Sequence, residues 1–529
     1  MTPGVDALRR GGARLALFVA LALLTRAPFL TVPFLDLDEA AALVGSWTLL
    51  DGGTLYVDFV DNRPPLLYGL YALGQATFGR GMLGVRLLTV LLVLPLTALA
   101  ASAFFRHDRR GLVAGVLYLV YGAAFLAHDM HSVSAEVLML LPLGWAVALL
   151  PGEEEARRPG RVAGAGLLMG LAILVRQHAV LWLPALALVV TLAGGVPKRR
   201  VGRLLLLGFG LSIPLAGCVV LFARVGTVDE LVYWTVTHNL GYAANPIPGG
   251  EALERAASYL LPFLLVTVPL WWAGWRSWPL CESRHRRVLV ASLLVLSLPA
   301  VFVGFRFFPH YFVQLYLPLA LAAAPWTAGA LTPPLSRAAR VALAWPLVVL
   351  AGFTAANLVL YRAPVGVYPE TSPVFERVAS RLREDPCFAA GPLFVWGYAP
   401  QFYAEAGLPP ASRFVVPQAS LTGYVPGNRA SRSGKIDTSA LVREEHWDLL
   451  MADLERTQPA FVLDTAPAGL YGWDRYPLTD YPRLDHFVRS GYRAVADVDG
   501  VRVWRRRGCE AGSREKRNEA AGAARLSLS

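Results

Sequence analysis

Apolar stretches of about 20 residues, each long enough to cross a hydrocarbon layer, recur through the first two thirds of the chain. They fall near residues 15–33, 83–105, 111–127, 135–150, 162–175, 179–195, 204–223, 257–275, 288–305, 311–331 and 341–360. The pattern predicts about eleven transmembrane helices, of which 162–175 and 179–195 are short enough to form one bent unit. After Tyr361 the pattern changes. Residues 388–397 (FAAGPLFVWG) and 459–465 (PAFVLDT) read as buried strands, 439–457 as a helix, and 492–505 as a strand or hairpin around Asp499-Gly500. The expected fold class is mainly α: a polytopic membrane protein with a small C-terminal α/β domain outside the membrane. Residues 1–360 form the transmembrane domain, 361–508 the exported domain, and 509–529 a polar, alanine-rich tail expected to be disordered.

Composition agrees with a membrane protein. Hydrophobic residues make up 55% and charged residues only 16%, with a mean hydropathy of +0.46. The formal charge of +11 does not point to nucleic acid, because the arginines fall in short clusters between apolar spans. One alternate set of loops carries Arg9, Arg10 and Arg14; Arg106, Arg109 and Arg110; Arg157, Arg158 and Arg161; Lys198, Arg199, Arg200 and Arg203; Arg276, Arg284, Arg286 and Arg287; and Arg337 with Arg340. The positive-inside bias makes that set, and the N-terminus, cytoplasmic. Residues 35–80, 225–255 and everything after Tyr361 then lie outside the inner (cytoplasmic) membrane. The basic N-terminus before an apolar run resembles a signal peptide, but no clean cleavage site follows, so it reads as an uncleaved first span. Four cysteines show no CxxC spacing. Cys387 and Cys509 flank the first and last expected strands of the exported part, where a disulfide is permitted; two free thiols are the other reading.

The outer loop at 35–80 carries Asp36, Asp38, Glu39, Asp51, Asp58 and Asp61. One charged residue at the bilayer centre costs about 2.5–3.5 kcal/mol on insertion scales, so this segment is wet. Residues 39–50, and a stretch opening at Arg63-Pro64-Pro65, read as helices along the outer surface, although the second is also long enough to be read as a span. A site facing outward sees no nucleotide sugar, so an activated donor there must arrive on a lipid. Sugar transfer from a lipid phosphate needs a carboxylate to take the acceptor's proton, and cations to stabilise the departing phosphate. Asp38 and Glu39 are candidate bases, with Asp36, Asp58 and Asp61 supporting the loop. Arg63, Arg176, Arg306 and His310 are outer-face cations near helix ends.

Plainer roles compete with these. The acids at 36–39 suit a helix N-terminus, Arg63 suits a snorkelling anchor, and Arg176 suits a helix C-terminus. The Asp36-Leu37-Asp38 triplet imitates a metal–nucleotide motif, but its outward location argues against that. His128, Asp129 and His131 could bind a metal or merely line a solvated loop. Glu136, which opens a span, is a functional candidate by its depth. No cofactor follows, and a divalent metal has little support.

Taken together, Arg26-Ala-Pro, Asp36-Leu-Asp38-Glu39-Ala, Gly52-Gly-Thr-Leu-Tyr56-Val-Asp58 and Arg63-Pro64-Pro65-Leu resemble the first outer loop of polyprenyl-phosphate-dependent, GT-C type glycosyltransferases. That superfamily includes protein O-mannosyltransferases and the aminoarabinose transferases that modify lipid A. Residues 166–176 (GLLMGLAILVR) and 310–318 (HYFVQLYLP) look like two further family segments. The resemblance implies an inverting transfer from a polyprenyl-phosphate sugar to a glycan, lipid or protein acceptor, with membrane lipid as a partner and no nucleic acid. By similarity, Asp38 takes the catalytic-base position and Arg63 the place of a phosphate-contacting lysine. Asp129 matches the acidic residue of the second outer loop. Arginine replaces the usual lysine at Arg63 and Arg176, and Asn62 stands where some relatives have an acid. A transporter or lipid flippase would show related helical repeats and mid-span acids, which the chain lacks. A non-catalytic membrane scaffold would leave the acidic loop without a purpose.

Overall fold

The computed structural model describes residues 3–243, 247–281, 283–332, 335, 337–362, 372–417, 419–426, 434 and 437–509. The expected tail from 510 onward lies outside them. Besides the short helices Ala127–Met130 and Glu153–Arg157 and a helical stretch over 228–243, the helices up to residue 362 are, in chain order, α1 (Pro3–Arg26), α2 (Leu37–Leu50), α3 (Pro65–Phe78), α4 (Met82–Phe104), α5 (Arg109–Tyr121), α6 (Ala135–Leu149), α7 (Pro159–Val175), α8 (Gln177–Leu192), α9 (Pro197–Arg224), α10 (Gly249–Leu280), α11 (Arg284–Phe305), α12 (Val313–Ala330) and α13 (Arg337–Arg362). All eleven apolar stretches fall on helices. Among the described residues, five helices are long and apolar enough to cross a membrane: Gly11–Phe29, α4, α9, α10 and α11; α6, α7 and α8 are apolar but shorter. α3, at 14 residues, extends about 21 Å at 1.5 Å per residue, less than a hydrocarbon core.

The chain divides into two compact units, Met1–Leu35 with Asn62–Val359, and Asp36–Asp61 with Leu360–Ser529. In the first, the helices start where the sequence signals a start. Asp108 caps α5 by accepting the Gly111 N–H at 3.0 Å, and Ser134 caps α6 by accepting the Val137 N–H at 3.3 Å. Proline opens α3, α7 and α9, where no N–H partner is needed. α7 and α9 approach through glycine. A Cβ on Gly166 would fall 2.1 Å from the Leu207 carbonyl oxygen, and one on Gly210 would fall 2.0 Å from that of Ala163. Small residues allow this backbone contact, which packs helices in lipid without a hydrophobic driving force. Residues 162–175 and 179–195 are not one continuous helix: α7 ends at Arg176, whose φ of −152° and ψ of 123° are extended, and α8 restarts as a 3₁₀ turn over Gln177–Trp182.

The second unit holds a four-stranded sheet, β1 (Leu393–Trp396), β2 (Phe461–Asp464), β3 (Tyr492–Val498) and β4 (Val501–Arg506), in the order β1-β2-β4-β3. β1 and β2 run parallel, whereas β4 is antiparallel to both neighbours. Helices α14 (Val374–Arg383), α15 (Gln401–Ala406), α16 (Glu444–Thr457) and α17 (Pro482–Gly491) pack around it. Two expectations are shortened. Residues 388–390 form a 3₁₀ turn, because Gly391-Pro392 interrupts the run before β1; residues 439–441 form another, separate from α16. Cys387 and Cys509 are joined by a disulfide, with Cα atoms 5.8 Å apart, across 122 residues of sequence. Beside it Asp385 pairs with Arg505 at 2.9 Å.

α2 packs against α15, and the Val60 N–H donates to the Arg413 carbonyl at 3.0 Å. Arg413 is itself fixed by Asp453 on α16. Its backbone N–H and Nε donate to Oδ2 at 3.1 and 2.9 Å, and Nη2 donates to Oδ1 at 3.1 Å. The acidic loop is thus tied to the C-terminal sheet unit by an arginine that a buried carboxylate orients.

Two predictions follow from these ties. Removing a native disulfide costs about 2–5 kcal/mol in small exported domains, so Cys387→Ser should lower the melting temperature of the purified full chain, read by tryptophan fluorescence. Reductant should lower the wild type likewise and leave the variant unmoved. The second concerns Asp453. Burial alone would raise its carboxyl, but the Arg413 and Arg456 guanidinium groups outweigh burial and hold it below the usual carboxylate range. A depressed folded value means the stabilisation is complete above the unfolded pKa of about 3.9 and is lost as pH falls below it. Asp453→Asn should therefore flatten the acid-side fall of the melting temperature below about pH 4, while destabilising the chain at pH 7.

Candidate functional site

The loop acids have distinct places in the second unit. Asp36 precedes α2 in an extended conformation, and its carboxylate accepts the Asp38 N–H at 2.7 Å, the geometry of an N-cap. Asp38 and Glu39 occupy the first turn, where the helix dipole favours a carboxylate. Asp38 is half-buried, whereas Glu39 is only 1% exposed. Asp58 is exposed and accepts the Thr54 N–H at 2.8 Å, closing the turn in which Leu55 bridges to Phe59. Asp61 is buried. Asp36 and Asp58 therefore shape the loop, leaving Asp38 and Glu39 as its chemical candidates.

The expected cations belong to the first unit, where the structure forms two ion pairs. Glu136, in the first turn of α6 and 2% exposed, meets Arg176 Nε at 3.0 Å. The break that ends α7 at Arg176 supplies this partner. His178, two residues on, and His310 add their fields at Glu136 to that of Arg176. The second pair joins residues 181 positions apart: Asp129 Oδ1 accepts the His310 backbone N–H at 3.1 Å and lies 2.7 Å from Nδ1. An ionised carboxylate only accepts, so Nδ1 carries the proton of this hydrogen bond.

Packing fixes His310 further. Phe308 stacks on its ring at 5.5 Å, and the Arg255 guanidinium lies 5.4 Å from the Phe308 centroid on the other contact. Arg255 pairs with Glu251 at 3.2 Å and donates Nη1 to the Arg306 carbonyl at 3.2 Å. Arg306 is fully buried. The segment around it is bent: Gly304, Phe305 and Phe307 have φ of 58°, 54° and 47°. Left-handed backbone costs of order 1–3 kcal/mol at a non-glycine residue, so the surroundings impose this turn. A Cβ on Gly304 would fall 1.9 Å from Arg306 Nη1, so any larger residue there would displace that guanidinium.

Arg63 is half-buried at the start of α3, and the residue before it is clamped. The Asn62 carbonyl accepts Gln177 Nε2 and Asn239 Nδ2, each at 2.7 Å, and Asn62 Nδ2 donates to Asn239 Oδ1 at 3.1 Å. Both clamping side chains also donate to the Thr235 carbonyl at 3.0 Å. Thr235 lies in a π-helical turn, Tyr233–Thr237, a distortion frequent at functional sites.

Sequence reading named Asp129, Arg176 and His310, and the structure pairs each of them. It had noted Glu136 only for its depth. It missed His178 and the Asn62–Gln177–Asn239 clamp, for which the spacing held no signal. The cluster at 128–131 is split. Asp129 turns to His310, whereas His131 stacks on Phe29 at 4.2 Å; the His128 side chain lies outside the described residues. For a metal, Asp129 and His310 offer one oxygen and one nitrogen donor, here bonded to each other. The arrangement gathers cations suited to phosphate beside carboxylate and imidazole groups able to carry protons.

No family profile matches the chain. It is 29% identical, over 309 residues, to the undecaprenyl phosphate-alpha-4-amino-4-deoxy-L-arabinose arabinosyl transferase of Pseudomonas aeruginosa (strain UCBPP-PA14), covering 54% of this chain and 53% of that relative. The counterpart from strain LESB58 is 27% identical over 308 residues, with the same coverage of each. The chain thus spans about half the length of the curated relatives it matches. In fold it is similar to the crystal structure of ArnT from Cupriavidus metallidurans bound to undecaprenyl phosphate, with a TM-score of 0.57, 15% identity, and coverage of 92% of this chain and 97% of that one. The apo form of the same protein gives a TM-score of 0.54 at 14% identity and the same coverage. In sequence pattern and in fold, this multi-pass membrane chain resembles the polyprenyl-phosphate-dependent glycosyltransferases of the GT-C type.

Proposed function

We propose that this chain transfers a sugar from a polyprenyl-phosphate donor to an acceptor at the outer face of the inner membrane, with inversion at the sugar carbon. The observation that carries the reading is the clustering of Glu136–Arg176, Asp129–His310 and His178 at helix ends in a fold of this kind. Ionisable groups at membrane depth are expensive and mark substrate or proton paths. In this reading Asp38 takes the proton from the acceptor hydroxyl as its oxygen attacks the sugar carbon, with Glu39 and Asp129 as further acidic candidates. The bond to the lipid phosphate breaks on the opposite side. Arg63, Arg176, Arg306 and His310 stabilise the phosphate as it leaves, while Asp36, Asp58 and Asp61 hold the loop's shape. The N-terminus is cytoplasmic and the C-terminal part extracytoplasmic, following the arginine asymmetry. The domains are 1–360, with the catalytic loop at 35–80, then 361–508, and a tail at 509–529.

General-base catalysis contributes about 10²–10⁴-fold. Asp38→Asn should therefore abolish complementation of a deletion strain, judged by mass spectrometry of envelope glycans, glycolipids and glycoproteins, while the variant accumulates in membranes at the parental level. Parental glycosylation with Asp38→Asn would remove the assigned base. A charged hydrogen bond is worth about 1.5–3 kcal/mol, so Arg63→Ala should weaken undecaprenyl phosphate binding to the purified chain by about tenfold or more. Unchanged binding would discard its phosphate role. The Glu136–Arg176 pair allows a separate check. Breaking a buried pair on one side costs about 3–5 kcal/mol, whereas removing both charges is far milder. Glu136→Gln should lower the melting temperature, the double change with Arg176→Gln should restore it, and glycosylation should stay lost in both.

A further inference from the structure

Three helices of the first unit, α10, α11 and α12, enclose a recess of about 280 Å³ at the end remote from His310. On α10, Arg255 next to Phe308 and Trp275 beside the recess are 20 residues apart, or about 30 Å at 1.5 Å per residue, the thickness of a hydrocarbon core. The recess is therefore a separate place from the ion-paired cluster. Its wall is almost wholly apolar, and at its mouth stand Arg286 and Arg287. Two tryptophans mark the depth of that mouth. Trp275 and Trp278 are 70% and 51% exposed, as expected of indoles at the headgroup level of a bilayer.

Among the described residues, no carboxylate pairs with the charges at this mouth. Arg286 donates Nε to the Pro151 carbonyl at 3.0 Å and stands 5.8 and 5.7 Å from the Phe104 and Phe105 ring centroids. Among the described residues, its terminal nitrogens and the half-buried Arg287 guanidinium make no hydrogen bond or ion pair. Two described acids at this end are engaged with other arginines: Asp108 with Arg110 at 2.7 Å, and Glu155 with Arg106 at 2.8 Å. An apolar slot capped by two cations complements an amphiphile with one apolar chain and an anionic head. Basic pockets between membrane helices hold anionic headgroups in this way.

We propose that this recess binds an anionic phospholipid of the surrounding leaflet, one acyl chain in the slot and its phosphate against Arg286 and Arg287. A bilayer lipid fits better than the sugar donor, because the mouth lies at the arginine-rich end, which the positive-inside bias makes cytoplasmic. The proposal concerns a binding site apart from transfer, so its test reads binding alone. The purified full chain in mild detergent is titrated with dioleoylphosphatidylglycerol or dioleoylphosphatidylcholine and observed by native mass spectrometry. One phosphatidylglycerol should be retained at concentrations at which phosphatidylcholine is lost. Arg286→Gln with Arg287→Gln should weaken that retention about tenfold or more. Ala291→Phe, which fills the slot and leaves both arginines in place, should weaken it independently, so the proposal stays testable if the double variant misfolds. Equal retention of the two lipids, or undiminished phosphatidylglycerol retention in Ala291→Phe, would overturn it. So would displacement of phosphatidylglycerol by equimolar undecaprenyl phosphate, which would make the recess part of the donor's path.

Discussion

A carboxylate buried in an apolar interior must have a partner, and much of the first unit is arranged to give Glu136 one. The surrounding side chains cannot solvate the charge, and leaving it unmatched would cost several kcal/mol. The partner, Arg176, is reached only because α7 stops there and the backbone becomes extended. That break has further consequences. It leaves Gln177 off the helix axis, where its amide joins the Asn62 carbonyl to the Thr235 carbonyl, and it places His178 within the field of the pair. A single change of backbone conformation thus serves the ion pair, the clamp behind Arg63 and a third titratable group, the His178 ring. The π-helical turn at 233–237 answers from the other side, its Thr235 carbonyl accepting from two side chains.

The second unit applies the same logic in a wetter setting. Asp453 is buried, and its oxygens are occupied by Arg413, Ser412 and Arg456. Arg413 in turn receives the Val60 N–H on its carbonyl, so the order of the acidic loop depends on a carboxylate nearly 400 positions downstream of that loop. This gives the C-terminal sheet a physical purpose that its own residues do not announce. It is a platform on which α2, with Asp36 at its cap and Asp38 and Glu39 in its first turn, is held. The disulfide and the Asp385–Arg505 pair brace the platform at the point where β4 ends.

Features that depend on local chemistry were legible in the sequence. The apolar spans announce themselves by length, and the acids at 36–39 before an alanine-rich run suit the start of a helix. Features that depend on tertiary closure were not. Asn62 and Asn239 are 177 residues apart, and Asp129 and His310 are 181 apart; each pair exists only after the helices between them have packed. The grouping at 128–131 misled for the same reason. Adjacent residues in a short turn face different neighbours, so Asp129 and His131 part company although three positions of sequence hold both. The strand expected from residue 388 begins only at 393: Pro392 has no N–H to donate to the ladder, although its carbonyl accepts the Ala460 N–H at 2.8 Å, and residues 388–390 turn instead.

The arginines of the chain separate into two kinds by what surrounds them. Arg176 and Arg255 are held by carboxylates within the protein at distances near 3 Å, which fixes their geometry before any ligand arrives. Planar guanidinium groups held this way suit the recognition of a phosphate whose position must be exact to an ångström. At the other end of the helices Arg286 stands over two phenylalanine rings and, with Arg287, lines an apolar slot instead. Nothing there demands orientation of a reacting bond; an anionic headgroup at the surface needs only charge and depth. The same residue type therefore has a carboxylate for its neighbour at one end of the helices and an apolar cavity at the other, so a guanidinium is held in a fixed orientation in the first place and, among the described residues, left without a carboxylate in the second.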